Sequence, residues 1–100
     1  MPAQQNHLNS FIEFLKRVFP EGLPEGDYLL LLSAMHDDFS QRVLATVVSS
    51  ALSRDYHLVL HDVYVVGSPA YKPRPVDLEN MRKTLESEGY LELLAQGESL

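Results

Sequence analysis

The sequence predicts an all-α fold, a compact single-domain bundle of about five helices over residues 1–100, with 1–7 and 95–100 frayed. Three observations predict it. Apolar residues recur at steps of three and four, the period of a helix face and not of a strand. Proline, glycine and serine punctuate the chain where one apolar stripe stops and the next begins. A composition of 45% hydrophobic and 22% charged residues suits one globular core and is too apolar for disorder.

The first helix is expected over 8–19, where Leu8, Phe11, Ile12, Leu15, Val18 and Phe19 form one stripe. Asn9 or Ser10 is the expected cap, and Phe14 lies off the stripe, facing a neighbouring helix or a partner. Pro20 stops this helix. A structural turn of Pro20, Gly22, Pro24, Gly26, Asp27 and Tyr28 follows, with prolines fixing φ and glycines permitting positive φ. Asp27 is the expected N-cap of a second helix over 28–36, whose Leu29–Leu32 run is apolar on every face and calls for burial all round.

Ser40 is a good N-cap for a third helix over 41–53. Val43, Leu44, Val47, Val48, Ala51 and Leu52 make a stripe two residues wide, the mark of a central helix touched from two sides. Residues 56–67 are rich in valine and tyrosine, which favours strand, but no partner strand exists elsewhere. A short helix over 61–67 is the expected outcome. Three prolines make the 68–75 loop extended, and Pro75 opens a last helix over 76–88 that ends at Gly89. The tail after Tyr90 adds one apolar turn.

Composition excludes several functions. The absence of cysteine removes disulfides, thiolate metal sites and cysteine nucleophiles. A net charge of −6 argues against general affinity for nucleic acid or anionic lipid. No apolar run is long enough to span a membrane, and the polar MPAQQNHLNS start is not a signal peptide, so a cytoplasmic location is expected.

The run PEGLPEGDY before four leucines, a Ser-capped helix, an extended Pro73-Arg74-Pro75 and a helix ending Glu88-Gly89-Tyr90 together resemble one family. It is domain-of-unknown-function family 3349, a group of small actinobacterial proteins, and the resemblance covers roughly residues 9 to 91. It implies an all-helical bundle of about five helices and favours helix over strand at 61–66. Two departures are the Pro69–Val66 neighbourhood, with Tyr64, Val65 and Val66, and a longer, more apolar tail after Tyr90. No activity comes with the resemblance.

Few residues suggest chemistry. His57 and His61 share a helix face at the spacing zinc ligands need, yet no third ligand stands at a telling distance. They are weak metal candidates, and surface histidines are the plainer reading; no metal or other cofactor is expected. His36-Asp37-Asp38 reads as a polar connector, and Gly67-Ser68 lacks the setting of a nucleophile elbow. The charge anomaly is Tyr71, Lys72 and Arg74, two cations and an aromatic on a proline-stiffened loop that loses little entropy on binding. Lys16-Arg17 and Arg82-Lys83 enlarge that patch if the first and last helices lie side by side. The expected function is a non-catalytic protein–protein interaction module, a monomer or weak homodimer, acting on a protein partner. The alternative is a nucleic-acid-associated regulator using helices two and three, whose basic residues are Arg42 and Arg54; a histidine metal binder or small enzyme is a remote third.

Overall fold

Proline at the first helical position costs no hydrogen bond, and the alanine and glutamines behind it favour a helix, so the chain becomes helical almost at once. The computed structural model describes residues 2–98. Helix α1 runs Pro2–Val18, α2 Glu25–Met35, α3 Gln41–Leu52, α4 Tyr56–Val66, α5 Pro75–Ser87 and α6 Tyr90–Glu98. A short 3-10 helix, His36–Asp38, joins α2 to α3, and no strand occurs among the described residues.

The all-α bundle is as expected, with six α-helices among the described residues in place of about five. Three boundaries are corrected. Residues 2–7 belong to α1, so Asn9 and Ser10 lie inside the helix and not at its start. Helix α2 starts at Glu25, not at residue 28. Its N-cap is Pro24, whose carbonyl accepts the Tyr28 N–H at 2.9 Å, which leaves Asp27 in the first turn. Of the turn's two glycines, Gly22 has positive φ, +79°, and Gly26 does not. Helix α4 starts at Tyr56, not at residue 61, because the Asp55 carboxylate accepts the Leu58 N–H at 3.1 Å and caps it.

The tail also differs. A full helix occupies Tyr90–Glu98, so residues 95–98 are helical; 99–100 lie outside the described residues. Gly89 holds φ at +104° in the expected place after α5, and this positive φ turns the chain back so that Tyr90 enters the core. There Tyr90 meets Phe14, ring centroids 6.0 Å apart, which answers what the off-stripe Phe14 packs against.

Helix α3 packs between α1 and α4, as its wide stripe requires, with Leu44, Ala45, Val47, Val48 and Ala51 buried. Ser40 caps it through Oγ, which accepts from the Val43 N–H at 3.3 Å. Helix α2 lies against α4 and α5 and buries Tyr28, Leu31, Leu32 and Met35, while Leu29 and Leu30 are half-buried. In α4, Val59, Val63 and Val66 fall on one face at steps of four and three and are buried. Burying three valines outweighs a helix propensity deficit of a few tenths of a kcal/mol each.

Gly67, just after α4, has an unremarkable φ of −85°, so its backbone would accept any residue. Its side is filled instead. A Cβ there would stand 2.6 Å from His36 Nε2, an atom that is buried and has no hydrogen-bond partner among the described residues. Gly67→Ala is therefore expected to push the imidazole aside and destabilise the fold by about 1–3 kcal/mol, the scale of overpacking. In a His36→Ala background the same change should cost almost nothing, because the added methyl occupies vacated space. Urea unfolding of the two single variants and the double variant measures that coupling.

Candidate docking groove

The two proline-rich turns come together. Helix α2 lies beside α5, so the Pro20–Pro24 turn that launches α2 meets the 68–75 loop that launches α5. Between them lies an open groove of about 580 Å³ lined by Phe19, Leu23, Leu30, Tyr71, Pro73 and Met81, with polar positions at Asp27, Arg74, Asp77, Asn80 and Thr84. That volume falls within the 300–1,000 Å³ usual for ligand sites. Gly26 also lines it, and a Cβ at Gly26 would meet nothing within 4 Å.

The loop is held by short-range bonds. Ser68 Oγ donates to the Val65 carbonyl at 2.8 Å and accepts the Ala70 N–H at 3.3 Å, while the Tyr71 N–H reaches the Ser68 carbonyl at 3.3 Å. Tyr71 is half-buried against the core, and burial, followed by the negative charge of Asp77, raises its phenol above the ordinary range. Arg74 is the N-cap residue of α5, its carbonyl accepting the Asp77 and Leu78 N–H groups at 3.1 and 3.2 Å. Its guanidinium Nε stands 3.6 Å from Asp77 Oδ2.

Of the three residues expected to dock a partner, Tyr71 and Arg74 line the groove and Lys72 is exposed outside its wall. Two cations of the expected wider patch have acidic neighbours of their own. Arg17 donates to Glu88 Oε1 at 3.0 Å and to the Glu88 carbonyl at 3.1 Å, and Arg82 lines a separate cavity of about 190 Å³ with Asp37, Asp38 and Glu86. The groove's acidic wall had no signal in the sequence beyond two aspartates near predicted helix starts. Only the pairing of α2 with α5 turns Asp27 and Asp77 toward one space.

The other candidates sit apart from it. His57 and His61 are exposed on α4, and His61 Nδ1 lies 3.7 Å from Asp62 Oδ1. Among the described residues no three histidine, aspartate or glutamate side chains gather to hold a metal. Asp62 faces inward: the Tyr28 hydroxyl donates to its Oδ2 at 2.7 Å, and Tyr90 donates likewise to Asp38 Oδ2 at 2.7 Å. Arg54, named for nucleic-acid contact, lies over the Tyr28 ring at 3.8 Å and donates to Glu25 Oε1 and the Leu23 carbonyl, both at 3.4 Å. It closes the end of α3 onto the turn. Arg42 is exposed.

Among the described residues no helix is long and apolar enough to cross a membrane. No family model, no curated protein and no solved structure matches the chain.

Proposed function

We propose that this protein is a non-catalytic interaction module that docks an extended segment of a protein partner in the groove between the Pro20–Pro24 turn, the 68–75 loop and α5. One observation carries the reading. Two stiffened turns, far apart in sequence, converge on a single concavity with an apolar floor of Phe19, Leu23, Leu30 and Met81. A surface built on proline-fixed backbone loses little conformational freedom when occupied, so more of the contact energy appears as affinity. An extended segment gains hydrophobic burial along the floor and hydrogen bonds to the polar wall.

Arg54 is committed to Tyr28, Glu25 and the Leu23 carbonyl, which leaves Arg42 as the basic residue on the exposed side of α3. One such cation supplies little of the phosphate neutralisation that nucleic-acid binding depends on. Docking is therefore the reading the geometry favours.

Selection from a displayed peptide library on the immobilised protein tests it. Enriched peptides should bind the wild type and lose at least fivefold in affinity to Tyr71→Ala and to Leu23→Ser, with helicity by circular dichroism unchanged. Peptides bound equally by all three proteins would move docking to another face.

A further inference from the structure

The groove's polar wall specifies what it takes. Arg74 Nε stands 3.6 Å from Asp77 Oδ2, an exposed pair that offsets part of this cation's charge. Asp27, exposed in the first turn of α2, has no side-chain partner among the described residues. Thr84 Oγ1 donates its proton to the Asn80 carbonyl at 3.0 Å, which leaves that oxygen to accept. Counting Asp27 and Asp77 against Arg74, the ionised lining carries two negative charges and one positive, a balance of −1 on a chain of net −6. An anionic side chain entering here meets repulsion from the unpartnered Asp27 carboxylate. A cation meets acceptors.

The floor agrees with the wall. Phe19, Leu30 and Met81 offer apolar surface leading to the Asp27 edge, and Tyr71 adds an aromatic ring. Lysine and arginine have long methylene stems that lie along apolar surface while the charged head stays at a polar rim. Aromatic faces nearby favour the same head group.

We infer that the docked segment is basic: it places a lysine or arginine side chain in the groove, stem on the apolar floor and head group at the Asp27 carboxylate. This rests on the docking function proposed above and reverses the polarity that the exposed cations Lys72 and Arg74 suggest. The partner is a protein with an extended stretch in which a basic residue is flanked by apolar ones.

The probe is a short blocked peptide with lysine between two leucines, titrated into ¹⁵N-labelled full-length protein while amide shifts are followed. A second peptide carries glutamate in place of the lysine. The expected result is that the lysine peptide moves the amides of Asp27, Tyr71, Asp77 and Met81 more than the glutamate peptide does. Asp27→Asn, which keeps the shape of the side chain, should weaken the lysine peptide roughly two- to fivefold, the scale of one exposed ion pair. Added salt should weaken it in the wild type as well. Equal or stronger shifts with the glutamate peptide would overturn the basic-segment inference and leave the docking site standing. Lysine-peptide binding indifferent to Asp27→Asn would overturn the role given to Asp27. Groove amides that move with neither peptide would overturn both the inference and the docking reading.

Discussion

Phe11→Ala is expected to lower the unfolding free energy by about 3–5 kcal/mol, the cost of emptying an aromatic-sized space in a packed core. Phe11 is fully buried on α1 and touches three rings: His7 at 4.8 Å, Phe39 at 4.8 Å and Tyr90 at 6.0 Å between centroids. All three contacts are edge-on, an arrangement that contributes beyond area burial. The loss is spread over distant parts of the chain, because Phe39 belongs to the connector before α3 and Tyr90 opens α6. For a domain whose total margin is about 5–15 kcal/mol, that is a large share. Urea unfolding should show a lower midpoint with an unchanged slope if the whole bundle still unfolds as one unit. A loss below about 1 kcal/mol would mean that neighbouring rings collapse into the space and that the cluster is not what anchors α6.

The α1 stripe that contains Phe11 was legible because its period is local. The same is true of α3, where the two-residue-wide stripe required partners on both sides and α1 and α4 supply them. What was hard to read depended on caps and on distant partners. Asp55 caps α4 only two residues after Ser53 closes α3, so the helix begins at Tyr56, well before residue 61. The strand propensity of the valines masks the one-aspartate cap signal in the sequence, but burial of Val59, Val63 and Val66 outweighs that propensity. Asp27 looks like a cap, but Pro24 takes the role at φ −58° and ψ 157°, a conformation its ring already favours. The length of α6 could not be foreseen without knowing that Phe14 on α1 leaves a side for Tyr90 to cover.

The candidate site divides along the same line. The 68–75 loop announced itself through three prolines and two cations, all local features. The groove did not, because it exists only once α2 and α5 lie side by side and bring Leu23, Leu30 and Met81 under one roof. Composition suggested a basic docking loop. Packing sets Arg74 3.6 Å from Asp77 and leaves Asp27 without a side-chain partner among the described residues.

Raising the pH above about 10 is expected to unfold the protein cooperatively, with two buried tyrosines as the cause. Tyr28 is fully buried and Tyr90 nearly so. Desolvation by burial, then the hydrogen bond to an aspartate carboxylate, raises the phenol of each well above its ordinary value of 10.0; Asp62 is the partner for Tyr28 and Asp38 for Tyr90. The carboxylate accepts the phenolic proton in each case, so ionising the phenol loses the bond and sets two negative charges together. Arg54 over the Tyr28 ring acts in the opposite direction, and among the described residues no such cation lies over Tyr90. Below about 10 both the folded and the unfolded chain hold these protons, and pH leaves stability unchanged on their account. Above that value the unfolded chain releases them while the folded chain keeps them, so the folded state binds more protons and stability falls as pH rises. The limiting slope is about 1.4 kcal/mol per pH unit for each group. Circular dichroism against pH should therefore show loss of helix together with the rise of tyrosinate absorbance. Tyr90→Phe should make the decline shallower by one group's share, and Tyr28→Phe should do the same. Tyrosinate absorbance that reaches the full amplitude of all five tyrosines while the helices persist would mean that the buried phenols are open to solvent and that neither aspartate bond helps to hold the bundle.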